Sequence, residues 1–244
     1  MPVTYSQAKI IVARTIGGAN DPDQIAAAGD AIAVAISEWN LRQKWNFLLV
    51  DNSTDPVDIV TGTNLYQLPA SFREMLTVRL VSKKKTLYYL ESRQLDRVVR
   101  DQSPTAIPDA YLIFRGATDF AGSSESSQAP FIKLYPSPNY TLANELLLRY
   151  YRRMLTPTLD ADFMDIPDRY VYALLRTAKY FYLVDKDAES ERTAHHRQVS
   201  EMLFKQAERD DQEYQDDDLR LIPQNEYGTA WGPAPENVTY WWDI

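Results

Sequence analysis

The sequence predicts an α+β protein. N- and C-terminal helices form a bundle, an antiparallel β module (sandwich or small barrel) is inserted between them, and an extended C-terminal arm follows. Three observations carry that prediction. Apolar residues recur at three-four spacing in the first fifty residues and again in the last third. Between 51 and 158 the pattern changes to short alternating runs punctuated by Pro, Gly, Asn and Asp. From Glu208 to Ile244, ten acids face only Arg209 and Arg220, a net of −8 that equals the net charge of the whole chain. The expected segments are 1–50 (N-terminal helices), 51–158 (β module, with a mobile loop at 116–129), 159–218 (C-terminal helices) and 219–244 (docking arm).

Taking the elements in order, Thr4 and Gln7 are spaced as a capping box, and Gly17-Gly18 ends the helix they begin. Asp21 is placed as the next N-cap, with Pro22 at the first helical position and Gln24 three residues after the cap. The stripe Ile25, Ala28, Ile32, Ala35, Ile36 and Trp39 follows, and the helix is expected to run on toward Trp45 and Leu48. Trp39 and Trp45 read as core anchors. Strands are expected at Asn64–Pro69, Thr77–Val81, Leu87–Leu90, Tyr111–Arg115, Phe131–Tyr135 and Glu145–Arg152, with Lys83-Lys84-Lys85 in a hairpin turn. A short helix is expected over Ser92–Arg100, and the Gly122–Gln128 run has linker composition. Asp165-Ile-Pro-Asp168 caps a helix carrying Tyr170, Leu174, Ala178 and Phe181. Asp185-Lys-Asp187 breaks it, and a polar helix runs on to about Gln215 with a thin stripe of Val199, Met202, Leu203, Gln206 and Ala207.

Composition removes several function classes. The absence of cysteine leaves no disulfide framework, thiolate zinc site or cysteine nucleophile. No stretch approaches the roughly 20 apolar residues that span a bilayer, and the N-terminus lacks a signal-peptide pattern. Overall acidity argues against broad phosphate-backbone binding.

Chemistry-bearing motifs are sparse. His195 and His196 are adjacent on a helix, about 100° apart, and do not converge on one metal. Asp160, Asp162 and Asp165 lack the turn glycine and closing glutamate of a calcium loop. No phosphate loop, nucleophile elbow or dinucleotide fingerprint is present. No catalytic, metal or cofactor residue is assigned, and no cofactor is expected. The arm is different: Tyr227, Trp231, Tyr240, Trp241 and Trp242 are large anchors in a segment that cannot build its own core, which marks them as docking residues.

The segments Tyr66-Gln-Leu-Pro-Ala-Ser-Phe-Arg73, Ala110-Tyr-Leu-Ile-Phe-Arg-Gly116, Ile132-Lys-Leu-Tyr-Pro-Ser-Pro138 and Leu146-Leu-Leu-Arg-Tyr-Tyr-Arg152 occur in that order. Leu155-Thr-Pro-Thr-Leu159 and Ile166-Pro-Asp-Arg-Tyr-Val-Tyr172 come after them. This succession resembles the head-to-tail adaptors (connector or neck proteins) of tailed bacteriophages, the group that includes the tail tubular protein A of short-tailed phages. The resemblance covers most of residues 1–215. It implies a virion structural protein at the head-tail junction, made in the host cytoplasm, that forms a ring of about twelve subunits beneath the portal. It further implies a channel that DNA traverses without sequence-specific binding, and an arm docked on the portal protein. A tail nozzle or other downstream tail protein, or a tail fibre or spike, is the implied partner below. The serine-rich insertion at Gly122–Gln128 departs from the shortest version of the pattern. Two competing readings are a nucleic-acid-binding module using Lys83–Lys85 with Arg149, Arg152 and Arg153, and a hydrolase with an unrecognised carboxylate site.

Overall fold

The structure, a computed structural model, describes residues 2–52, 56–91, 105–114, 130–186 and 190–220, with side chains of the final helix placed as far as Gln212. The helix expected at Ser92–Arg100, the loop at 116–129 and the arm residues Tyr227, Trp231, Tyr240, Trp241 and Trp242 lie outside the described residues.

Helix α1 (Tyr5–Ala13) begins in the expected capping box, with Thr4 and Gln7 bonding each other's backbone N–H. Gly17 closes the following turn at φ +85°, a left-handed conformation that glycine adopts without steric cost. Helix α2 (Pro22–Arg42) is capped by Asp21. Gln24 does not complete a capping box there; its side chain accepts the Tyr182 hydroxyl at 2.5 Å instead. α2 also stops earlier than its stripe suggests. Gln43 is extended, so Trp45 enters from a non-helical position and a short 3₁₀ turn (Asn46–Leu48) follows. Both tryptophans are 0% exposed, stacked with centroids 4.7 Å apart.

The middle of the chain forms the expected β module, an eight-stranded, largely antiparallel sheet curled into a half-barrel. Its strands are β1 (Leu49–Asp51), β2 (Val57–Ile59), β3 (Leu65–Gln67), β4 (Phe72–Leu80), β5 (Lys85–Tyr89), β7 (Ala110–Phe114), β8 (Phe131–Tyr135) and β10 (Leu142–Arg152), while β6 (Thr105–Ala106) and β9 (Ser137–Pro138) form a separate short pair. The order is β1-β10-β4-β5-β7-β8-β3, with β2 also on β10. Pairing within this sheet is antiparallel except for β5 with β7, where a crossover intervenes, and the separate β6–β9 pair is parallel as well. Alternation on β10 is as expected: Leu146, Leu148 and Tyr150 enter the sheet's apolar cluster with Val78, Leu87, Ile132 and Leu134.

Two helices return. α3 (Asp168–Lys186) buries Tyr170, Val171, Leu174, Leu175, Ala178 and Tyr182 against α1 and α2. Asp165 is not its cap: that carboxylate forms a two-pronged ion pair with Arg152 and accepts the Leu155 N–H at 2.9 Å. α4 (Glu191–Arg220) runs five residues past the expected end. The helical and sheet clusters are distinct but stitched together. Asn40 on α2 brackets Met154, donating to its carbonyl at 3.0 Å and accepting its N–H at 2.8 Å, and Arg73 on β4 donates to the Gln43 carbonyl.

Candidate assembly surfaces

α4 is seated on a stripe that only partly matches the expected one: Ala207 is buried and Leu203 packs against the helical cluster, but Met202 and Gln206 do not. Thr193, Ser200, Phe204, Ala207 and Asp211 are its buried residues, whereas Met202 is 61% exposed and Gln206 faces solvent. Small hydroxyl residues can be buried here because each is satisfied locally: Thr193 pairs with Ser190, and Ser200 donates to the Arg197 carbonyl. Phe204 stands edge-on to Trp39 at 5.3 Å and Trp45 at 5.5 Å, a favoured aromatic geometry. The Arg42 guanidinium covers its other side at 5.1 Å and reaches Glu38 and Glu201. The hydrogen bond to Glu201 is the main cause that raises the Arg42 pKa, and the same bond lowers that of Glu201.

The last seat is polar. Asp211, 1% exposed, accepts the backbone N–H of Asn46, and the Asn46 amide donates back to the Asp211 carbonyl. Burial pushes the Asp211 pKa up, against the Asn46 bond and the Arg169 charge, which lower it. Among the described residues, one carboxylate oxygen of Asp211 and the hydroxyl of nearby Tyr170 are buried without hydrogen-bond partners. Beyond Asp211 the helix continues for nine residues to Arg220, about 14 Å at 1.5 Å per residue. That end is acidic in sequence, the arrangement its own macrodipole disfavours. Its charge therefore does not serve helix stability.

The sequence-predicted cations do not converge. Lys83–Lys85 lie at the β4–β5 turn, beside Leu80, whereas Arg152 pairs in register with Phe72 at the other end of β4. Eight residues of strand, on the order of 26 Å, separate Arg152 from that turn, and Arg149, opposite Thr77, lies between them. Lys85 is paired with Asp109 and Arg152 with Asp165, and Lys83 sits over the Tyr140 ring. The aspartates of the 160–165 loop are likewise structural. Asp160 pairs with Lys9, and Asp162 accepts the N–H groups of Thr158 and Leu159. His195 is exposed and His196 half-buried, its pKa lowered by burial and by the surrounding Arg176, Arg192, His195 and Lys179. Among the described residues no group of three His, Asp or Glu is placed to hold a metal, and no helix is long and apolar enough to cross a membrane.

Two surface hollows are not anticipated from the sequence. One, about 670 Å³, opens on the sheet between Phe72, Met75, Leu76, Tyr89, Tyr111 and Ile113. The other, about 260 Å³, lies between α1 and α3, floored by Val3, Ile11, Val171 and Leu175, with Tyr172, Arg176 and Lys179 along its rim. Its only sequence signal is the repeat of Tyr172, Arg176 and Lys179 at three-four spacing on the face of α3 away from the core.

No curated protein matches the chain. The family model of the SU10 adaptor protein matches residues 3–222, which takes in both helix pairs, the curled sheet and all of α4. The chain belongs to the SU10 adaptor protein family, a group of phage head-to-tail adaptors.

Proposed function

We propose that this chain is a non-enzymatic virion protein of the head-tail junction. About twelve copies form a ring beneath the portal, join capsid to tail and continue the DNA channel, and each arm docks on the portal through Tyr227, Trp231, Tyr240, Trp241 and Trp242. The functional division is 1–50 and 159–218 as the helical body, 51–158 as the β module facing a nozzle, fibre or other tail protein, and 219–244 as the arm. One observation supports this reading most. The family match ends at residue 222, and residues 223–244 join three acids and no base to three tryptophans. Such a segment loses conformational entropy on ordering, so it needs concentrated anchors, and aromatic side chains supply them. A closed ring requires two different complementary faces on each subunit. Twelve weak attachments held in one ring gain further from multivalency.

Deleting Asn225–Ile244 tests the arm. The truncated protein is expected to fold and to lose attachment to portal-containing heads; undiminished attachment would refute the assignment. The mass and symmetry of particles formed with purified portal test the ring, and particles without rotational symmetry would exclude it.

A further inference from the structure

The groove between α1 and α3 is apolar at its floor and cationic at its rim. Val3, Ile11, Val171 and Leu175 line it, and Tyr172, 55% exposed, forms one edge. Phe163, 61% exposed, is bridged through its backbone to Thr4 beside Val3, which extends the apolar surface. The volume of 260 Å³ falls below the ~300–1,000 Å³ of sites for drug-sized ligands and suits a single large side chain.

Among the described residues, the rim cations are not held by charged partners. Among the described residues, Arg176 bonds the Tyr172 hydroxyl, at 2.8 Å, with its guanidinium 4.9 Å from that ring. Neither Arg176 nor Lys179 takes part in an ion pair among the described residues. Burial, and then the Arg176 charge, lower the Lys179 pKa, so the two cations sit together at a cost. Asp168 lies at the α3 N-terminal end of the same groove. Arg192 of α4 adds to the positive field, since its charge acts with those of Arg176 and Lys179 on the His196 imidazole.

We propose that in the free chain this groove is the resting site of the chain's own C-terminal segment, residues 221–244, with a tryptophan on the apolar floor and its carboxylates against Arg176 and Lys179. The segment is complementary in both respects: it carries Glu226, Glu236 and Asp243, no Lys or Arg, and Trp231, Trp241 and Trp242. An indole beside a guanidinium or ammonium also gains a cation–π contact. Geometry permits the return. Asp211 lies near Tyr170, so α4 leaves the body at the end where α3 begins. Trp231 is eleven residues past Arg220, a reach of up to about 36 Å. That exceeds the roughly 14 Å of projecting helix plus ~17 Å of α3 from Asp168 to Lys179. Seating the indoles removes from water the side chains that most threaten solubility before assembly.

The test uses the full chain without portal, so it succeeds or fails independently of the docking role proposed above. Tyr172→p-benzoylphenylalanine is irradiated at low protein concentration, and the linked peptides are mapped. The expected product is a monomer-sized species joining position 172 to a peptide within 221–244, absent when the photoreactive group is placed at exposed Met202 on α4. Adding R176E and K179E, both at the groove rim, should cut its yield about tenfold while the melting temperature holds. No link to the arm, a link only in a dimer-sized species, an equal link from Met202, or a yield unmoved by charge reversal would each overturn the proposal.

Discussion

Asp211 and Asn46, 165 residues apart in sequence, hold each other twice: carboxylate to backbone N–H at 2.9 Å, and side-chain amide to backbone carbonyl at 2.8 Å. Among the described side chains this pair is the last contact of α4 with the body, and it orients the helix there.

Burial raises the Asp211 pKa above the usual 3.8, so the folded state binds its proton more tightly than the unfolded state does. The resulting contribution to stability is full below pH 3.8 and is lost as pH rises through the raised folded value. Asp211→Asn keeps an acceptor for Asn46 without a charge. It should equal or exceed the wild type in stability at neutral pH, with the difference shrinking toward acid. Asp211→Ala should lose about 1–3 kcal/mol by leaving the Asn46 N–H unpaired. Urea unfolding of the three proteins across the acidic range checks this, and an Asn loss as large as the Ala loss would contradict it.

Phe204 is the only large apolar side chain that α4 inserts between Trp39, Trp45 and Arg42 among the described residues. Phe204→Ala should cost about 3–5 kcal/mol, the range for deleting a buried ring. A lower urea midpoint at unchanged slope, with altered tryptophan emission, is the expected signature. A loss under about 1 kcal/mol would mean that α4 is seated by other contacts.

The two ion pairs that tie up candidate cations should differ in value. Arg152 and Asp165 are about three-quarters buried and share two hydrogen bonds, whereas Lys85 and Asp109 are more exposed. Asp165→Ala, which also strips the Leu155 N–H of its acceptor, should cost about 1.5–3 kcal/mol. Lys85→Ala should cost at most about 1 kcal/mol. Equal losses in thermal unfolding would reverse that ranking.

Glu145, 1% exposed, accepts from the Ser82 N–H, the Ser82 hydroxyl and the Tyr140 hydroxyl. Burial, then the Glu145 charge, push the Tyr140 pKa up to about 12. The folded state thus retains a proton that the unfolded chain gives up near 10, and the associated stability disappears as pH rises through 12. Tyr140→Phe should flatten the alkaline loss of stability between those values. Parallel pH-dependent slopes for wild type and variant would rule out Tyr140 as its source.

Legibility in the sequence depends on whether a signal is local. Capping at Thr4 and Asp21, the α2 stripe, and six of the eight strands of the sheet (all but the three-residue β1 and β2) are written in neighbouring residues, and the fold class comes from them. The polar part of the α4 seat escapes a hydrophobic pattern because it uses Thr193, Ser200 and Asp211, which such a pattern discards and which become buriable only through partners such as Ser190 and Asn46. Asp165 escapes for the same reason: its partner Arg152 is thirteen residues away across a turn, and a cap needs only proximity in sequence. The α1–α3 groove is invisible because its floor comes from both ends of the chain. The family is legible through the order of short motifs, though no single motif is specific.

The half-barrel has one last consequence. Where it does not close, the strands at its margins, β1, β2 and β3, are three residues long, and Pro56 and Pro69 stand close to them. Short margins offer few free N–H and C=O groups, and proline removes a donor. Copies held side by side at high local concentration therefore have little template for zipping their backbones into one continuous sheet. In the ring proposed above, each subunit would keep its own hydrogen-bond ladder and leave contact between neighbours to side chains, which can be made, released and made again.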